Sequence, residues 1–269
     1  MKAFFVISFF ISTVLFSCES PKTRTRADNL PPQIDTLQRE SAGKSNAVDK
    51  TSESLPKNLK PVFGFRFEII GDFDGDGKRE KLNEHFYSKI NNKESNKFYE
   101  NLSDYSQLVA LTIKKEPFSF VKSDNSQVDT LRIYSGGQHL GLSYLKNEGD
   151  LNGDGTDEVS YVINWADWSN LNTWHVVTYQ NKKWTELYSF PIWDWQLPDL
   201  PETFNQYGLS GLEEKVINTT TDATNMQIEK ELSEFSGLIK KINTNRIQVI
   251  YRNDEAEIDT MLIDLKSIK

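Results

Sequence analysis

Gly149-Asp150-Leu151-Asn152-Gly153-Asp154-Gly155-Thr156-Asp157-Glu158-Val159-Ser160-Tyr161-Val162-Ile163 is the stretch that decides the fold. Its first part alternates oxygen-bearing side chains, Asp150, Asn152 and Asp154, and then places a glycine, Gly155. Alternation lets side chains at positions one, three and five curl toward one centre, and the glycine at position six supplies a sharp turn of positive φ. Its second part, from Glu158 on, is rich in β-branched and aromatic residues and predicts a strand. The same pattern occurs once upstream, as Gly71-Asp72-Phe73-Asp74-Gly75-Asp76-Gly77-Lys78-Arg79-Glu80.

The donor set of both loops is all oxygen. Asp72, Asp74 and Asp76, and Asp150, Asn152 and Asp154, are the expected side-chain ligands. The carbonyls of Lys78 and Thr156 are the expected main-chain ligands at position seven, and Glu80 and Glu158 at position nine close the shell. Hard oxygen donors without Cys or His select calcium or magnesium over zinc or copper. A bendable loop with this many carboxylates favours calcium, because magnesium keeps more of its waters. Two calcium ions are therefore expected, one per loop. An EF-hand needs a glutamate at position twelve and an exiting helix. Here position twelve is Asn83 in one loop and Tyr161 in the other, and a strand follows. Both loops are thus predicted as turns between β-strands. Plain acidic Asp/Gly turns also occur on soluble surfaces, but two with identical spacing argue against that reading.

These two decapeptides resemble the calcium loops of the FG-GAP/VCBS repeat families, whose pattern runs Asp-x-Asp/Asn-x-Asp-Gly-x-x-Asp between strands. Asp72, Asp74, Asp76 and Asp150, Asn152, Asp154 match it; Glu80 and Glu158 stand where that pattern has Asp. The resemblance covers about twenty residues. It implies a metal and a β context and carries over no activity. The metal itself is expected to be a structural staple for the two turns. A closed propeller needs about four or more blades, and two loops in this length of chain do not supply them. The expected fold is mainly β, with antiparallel sheets arranged as a sandwich or a partial propeller and one or two short helices.

The chain is expected to fall into three parts. Residues 1–18 read as a signal: Met1-Lys2, an apolar run too short to span a bilayer comfortably, then Leu15-Phe16-Ser17-Cys18. The ending resembles a bacterial lipobox, with Cys18 as the lipidated residue. Cys18 is the only cysteine, so no internal disulfide is possible. Residues 19–60 are polar, without aromatics or apolar period, and read as a disordered tether spanning on the order of 35 Å. Residues 61–269 read as one β-rich globular domain. Strands are expected over 63–70, 81–87, 108–113, 128–134, 142–145, 159–163, 174–179 and 184–190, with a meander over 237–265. Helices are expected over 97–107 and 226–235.

The charge of −8, without a basic patch, argues against nucleic acid and against electrostatic adhesion to anionic lipid. Membrane attachment would rest on the lipid, which places the protein in the bacterial cell envelope, on the extracytoplasmic side and expected at the outer membrane. The six tryptophans all lie between Trp165 and Trp195. Trp165, Asp167, Trp168, Trp193 and Trp195 form a possible surface for a glycan or protein ligand, with Trp165 and Trp168 expected exposed and Trp174 and Trp184 expected in the core. Filling a core is the alternative use of such rings. Nothing in the sequence fixes a catalytic constellation: His85, His139 and His175 lack metal-ligand spacing, and Ser135-Gly136-Gly137-Gln138-His139 lacks the surroundings of a phosphate loop. The expected function is a lipid-anchored, calcium-binding interaction module. The alternative is a calcium-dependent hydrolase or lyase acting on glycan through a Trp-lined cleft.

Overall fold

The computed structural model describes residues 59–100, 105–167, 169–200 and 222–267. The expected signal, Cys18, the tether up to residue 58 and Trp168 lie outside the described residues. The described chain is mainly β, built of antiparallel sheets with two α-helices. Its strands are β1 (Lys60–Val62), β2 (Glu68–Gly71), β3 (Glu80–Ser88), β4 (Lys93–Glu94), β5 (Phe98–Glu100), β6 (Pro117–Ser123), β7 (Leu131–Ser135), β8 (His139–Gly149), β9 (Glu158–Trp165), β10 (Leu171–Gln180), β11 (Lys183–Trp193), β12 (Ile239–Asn243), β13 (Arg246–Arg252) and β14 (Ile258–Asp264). The helices are α1 (Tyr105–Lys115) and α2 (Asp222–Glu234).

The strands form three main sheets. One runs β2-β3-β6-β7 with β4 added to β3, the second β11-β10-β9-β8, and the third β12-β13-β14; β1 and β5 pair separately. The four-stranded sheet is the middle layer. On one side Leu145, Val159, Tyr161 and Val177 pack with Leu82 and Val121 of the first sheet. On the other, Tyr144, Val162, Trp174 and Phe190 pack with Ile247, Val249 and Ile263 of the third. Strand β9 therefore buries both of its faces, and every residue from Glu158 to Asn164 is buried. That is why 159–163, Val-Ser-Tyr-Val-Ile, does not alternate apolar and charged residues. By contrast, β3 alternates buried and half-buried residues along its whole length, as a strand with one wet face should. The β10–β11 connection is a two-residue turn through Asn181 (φ 52°) and Lys182 (φ 62°), the positive-φ pair that suits a tight hairpin.

Three sequence expectations need correction. The strand expected over 63–70 is confined to β2, and residues 63–67 are not strand. The strand expected over 108–113 is the body of helix α1. Leu108 and Thr112 are fully buried one turn apart while Ala110 and Ile113 are exposed, a helical period that an unbroken apolar run conceals. The Thr112 hydroxyl donates to the Leu108 carbonyl at 2.8 Å, and Leu108 packs on Leu140 and Ala166. The helix expected over 97–107 is instead β5 followed, from Tyr105, by the start of α1. Strand β6 was not among the expected strands; it opens on Pro117, and a strand tolerates proline at its first residue.

Candidate metal centre

Each acidic loop closes an antiparallel hairpin. Gly71 of β2 pairs with Glu80 of β3, and Gly149 of β8 pairs with Glu158 of β9. The same local hydrogen bonds shape both loops. The first Asp accepts the amide of the position-six glycine, Gly77 to Asp72 Oδ2 at 3.0 Å and Gly155 to Asp150 Oδ2 at 3.3 Å. Position three accepts from position five, Asp76 to Asp74 Oδ1 at 3.2 Å and Asp154 to Asn152 Oδ1 at 2.8 Å. Position five accepts from position seven, Lys78 to Asp76 Oδ1 and Thr156 to Asp154 Oδ1, both at 2.8 Å. Position nine accepts from position two, Phe73 to Glu80 Oε2 at 2.9 Å and Leu151 to Glu158 Oε2 at 2.5 Å. Short Asp and Asn side chains capping nearby amides are what make this turn foldable. Gly77 (φ +83°) and Gly155 (φ +90°) take the left-handed backbone that position six requires. Phe73 and Leu151 at position two are buried, one in each core, and anchor the loops.

In the first loop, carboxylate oxygens of Asp72, Asp74, Asp76 and Glu80 all lie within 4.8 Å of one another. Two unit charges at 4.8 Å repel by about 1 kcal/mol in water and by about 3 kcal/mol at an effective dielectric constant near 20. Their repulsion shows in Glu80, which burial first, and then the charges of Asp74, Asp72 and Asp76, push above the usual carboxylate range against the Phe73 hydrogen bond. Asp72 Oδ1 is buried and accepts no hydrogen bond. A buried carboxylate oxygen left unsatisfied is costly, and a cation held among the four acids would answer both the repulsion and the orphaned atom. Four oxygen ligands on a bendable turn fit a hard divalent ion. Lys78 Nζ sits 3.0 Å from Asp76 Oδ2, and this hydrogen bond is the main reason the Asp76 carboxyl is held below its ordinary range. That exposed pair is a weak competitor for an ion.

The second loop is the same turn with different occupants. Asn152 at position three turns its amide nitrogen to Asp154 Oδ2 and Glu158 Oε1, each at 3.0 Å. Thr156 Oγ1 donates to Asp154 Oδ1 at 2.6 Å, Gln180 Nε2 to Asp154 Oδ2, and Lys241 Nζ to the Asp150 carbonyl. Burial alone would raise the Asp154 carboxyl; the hydrogen bonds from Thr156, Gln180 and Asn152 outweigh it and hold the group low. Glu158 has no exposure, and burial pushes its carboxyl up to about 7 despite the amides of Leu151 and Asn152. Among the described residues, the first loop alone gathers its acids into one cluster.

The two turns touch. Asp157 accepts the Asp72 amide at 3.1 Å and donates its own amide to the Asp72 carbonyl at 2.8 Å. Asn147 Nδ2 bridges Asp157 Oδ2 and the Ile70 carbonyl. Asn125 Nδ2 reaches Asp74 Oδ2 at 3.3 Å. Asn125, Asn147, Gln180 and Lys241 lie in no motif, and Asp157, though inside the second loop, stands at a position the pattern leaves open; only adjacency in the fold reveals their part.

The tryptophan residues divide. Trp174 is fully buried, and Trp184 is half-buried with its indole N–H on the Asp129 carbonyl. Trp165, expected exposed, is half-buried against the first core with its ring edge-on to Tyr134 at 4.8 Å. Trp193 and Trp195 stack at 6.2 Å and 15° beside a short 3-10 helix, Asp194–Gln196, and Trp195 is 62% exposed. Asp167 caps the Ser169 amide, and its charge adds to burial in raising Asp194 to about 6. The histidines are paired elsewhere: His85 with Glu94 at 2.6 Å, His175 with Glu186 at 2.7 Å, and His139 with Ser119 at 2.8 Å. His139 is fully buried, and burial lowers its ring to about 4, so it is a neutral core partner at pH 7. Comparison of the chain with protein-family models, curated proteins and solved structures finds no match.

Proposed function

We propose that the protein is a calcium-binding, lipid-anchored interaction module of the bacterial cell envelope. The observation that carries the calcium reading is the convergence of Asp72, Asp74, Asp76 and Glu80 around a buried Asp72 oxygen that has no hydrogen-bond partner. The ligand set is that of a calcium turn, and the repetition of its four local hydrogen bonds in the second loop supports a common motif of the FG-GAP/VCBS kind. The first loop is the stronger site. The second takes an ion more weakly, because Asn152 must turn its amide away and Gln180 must release Asp154. The ion acts as a staple between β2 and β3 and has no substrate of its own. Lipid on Cys18, the sole cysteine, supplies the anchor.

Isothermal titration of the metal-stripped protein with calcium, run beside thermal unfolding, tests the metal. Calcium at about a hundred times its Kd should stabilise the fold by about 2.7 kcal/mol. Wild type that unfolds at the same temperature with and without calcium would sink the reading. Cys18→Ser, followed by membrane fractionation of the expressing bacterium, tests the anchor; a variant that stays with the membrane removes it.

A further inference from the structure

Trp195 is the most exposed large ring described, and such a ring in water is the informative kind of exposure. It is also held rather than loose. It lies parallel to Trp193, whose indole N–H donates to the Ala256 carbonyl at 3.3 Å and whose ring carries the Arg252 guanidinium at 5.2 Å. That Trp193–Ala256 bond fixes the β13–β14 turn against the aromatic pair. The turn is rigid in its own right: Asn253 N to Glu257 O at 2.8 Å, Ala256 N to Asn253 O at 3.0 Å, and Glu257 N to Asn253 Oδ1 at 2.8 Å. It presents Asp254, Glu255 and Glu257, all exposed, and none forms an ion pair with the described residues. Exposed Leu171 pairs with Trp193 across β10–β11, and exposed Ile258 follows the turn.

The charges decide the occupant. Three unpaired carboxylates stand against one guanidinium, and that guanidinium already rests on the inner ring. A neutral sugar gains from the ring face but nothing from the carboxylates. A cation gains from both, since the indole face is negative and the acids stand on the turn that is hydrogen-bonded to Trp193. A guanidinium suits the pair better than an ammonium, because it is flat, stacks on an indole and bonds a carboxylate through two N–H groups. We propose that Trp195, stacked on Trp193, which the acidic turn at 253–257 joins through Ala256, is the docking site for an arginine-bearing segment of a partner protein. This rests on the interaction-module reading and is independent of calcium.

The probe is a synthetic peptide of alternating arginine and glycine, with xylohexaose as the neutral comparison, each titrated into the folded chain with tryptophan fluorescence and calorimetric readouts. The peptide is expected to bind saturably. Trp195→Ala and the double variant Glu255→Lys/Glu257→Lys should each weaken it about tenfold or more, and Trp195→Phe should retain most of it. Raising NaCl from about 50 to about 500 mM should weaken it as well. No binding to wild type, unchanged affinity in Trp195→Ala, or xylohexaose competing for the same ring would each overturn the proposal. Asp74→Ala, assayed in parallel without calcium, should bind the peptide like wild type, so loss of the metal reading and loss of the docking site are separate outcomes.

Discussion

The two acidic loops share one turn and differ in what neutralises it. In the first, four carboxylates face one another and an oxygen of Asp72 stays unpartnered. In the second, one of the four is Asn152, and its amide, the Thr156 hydroxyl and Gln180 bond the acids that remain. Four amide-to-side-chain bonds occur in both loops, but the second adds two more, Gly153 N to Asp150 Oδ1 at 2.5 Å and Asn152 N to Glu158 Oε2 at 3.2 Å. Nitrogen for oxygen at position three, together with the Gly153 amide on the Asp150 oxygen whose counterpart in Asp72 is orphaned, turns a charge cluster that could hold a cation into a network that has supplied its own donors. A hydrogen-bonded turn and a metal turn are thus neighbouring solutions to the same problem of buried carboxylate charge.

The strongest way to break that comparison is to cross the two loops. Asp74→Ala should abolish calorimetric calcium binding and the whole calcium-induced stabilisation, whereas Asp154→Ala should leave the first site's affinity within about twofold and instead destabilise the metal-free fold by about 1–3 kcal/mol through lost hydrogen bonds. Equal loss of calcium affinity in both variants would mean the loops are not different. Next in size, Asn152→Asp should remove the internal donor and restore the fourth carboxylate. The calcium stoichiometry measured by titration should then rise from one to two at concentrations that saturate only the first loop in wild type. Asp157→Ala sharpens the link between the turns: losing its bonds to the Asp72 amide and to Asn147 should lower first-site calcium affinity several-fold and cost about 1–2 kcal/mol in urea unfolding. Smallest, Gly77→Ala and Gly155→Ala should each cost about 1 kcal/mol without calcium, because a Cβ meets no atom within 4 Å at either position and only the positive φ is strained. Unequal costs would show that the two turns hold position six differently.

What was legible in the sequence was what is local. The bonds that shape each loop run between residues a few positions apart, so the spacing of Asp72, Asp74, Asp76 and Gly77 is sufficient to announce them. The strands leaving the loops, over 81–87 and 159–163, were legible as well, whereas of the strand expected over 63–70 only Glu68 to Ile70 forms. The donors that distinguish the second loop arrive from 26 residues away in Gln180 and 91 in Lys241, and the contact that joins the loops spans 85. No pattern in a sequence marks such partners. Helix α1 was misread because the apolar run at 108–113 satisfies either period, and burial of Leu108 with Thr112 decides between them only once Leu140 and Ala166 are in place. The cationic flank of Trp193 was equally hidden, since Arg252 comes from a different sheet.

The burial of β9 on both faces, with β8 on one edge and β10 on the other, has a consequence in time. Water reaches an amide proton only when the structure around it opens, and the middle of the central strand opens last. In deuterated solvent the N–H groups of Val159, Ser160 and Tyr161 should therefore keep their protons longest. Calcium at the first loop should slow exchange in β2 and β3 while leaving those central amides, already limited by unfolding of the whole domain, to lengthen only as far as overall stability rises.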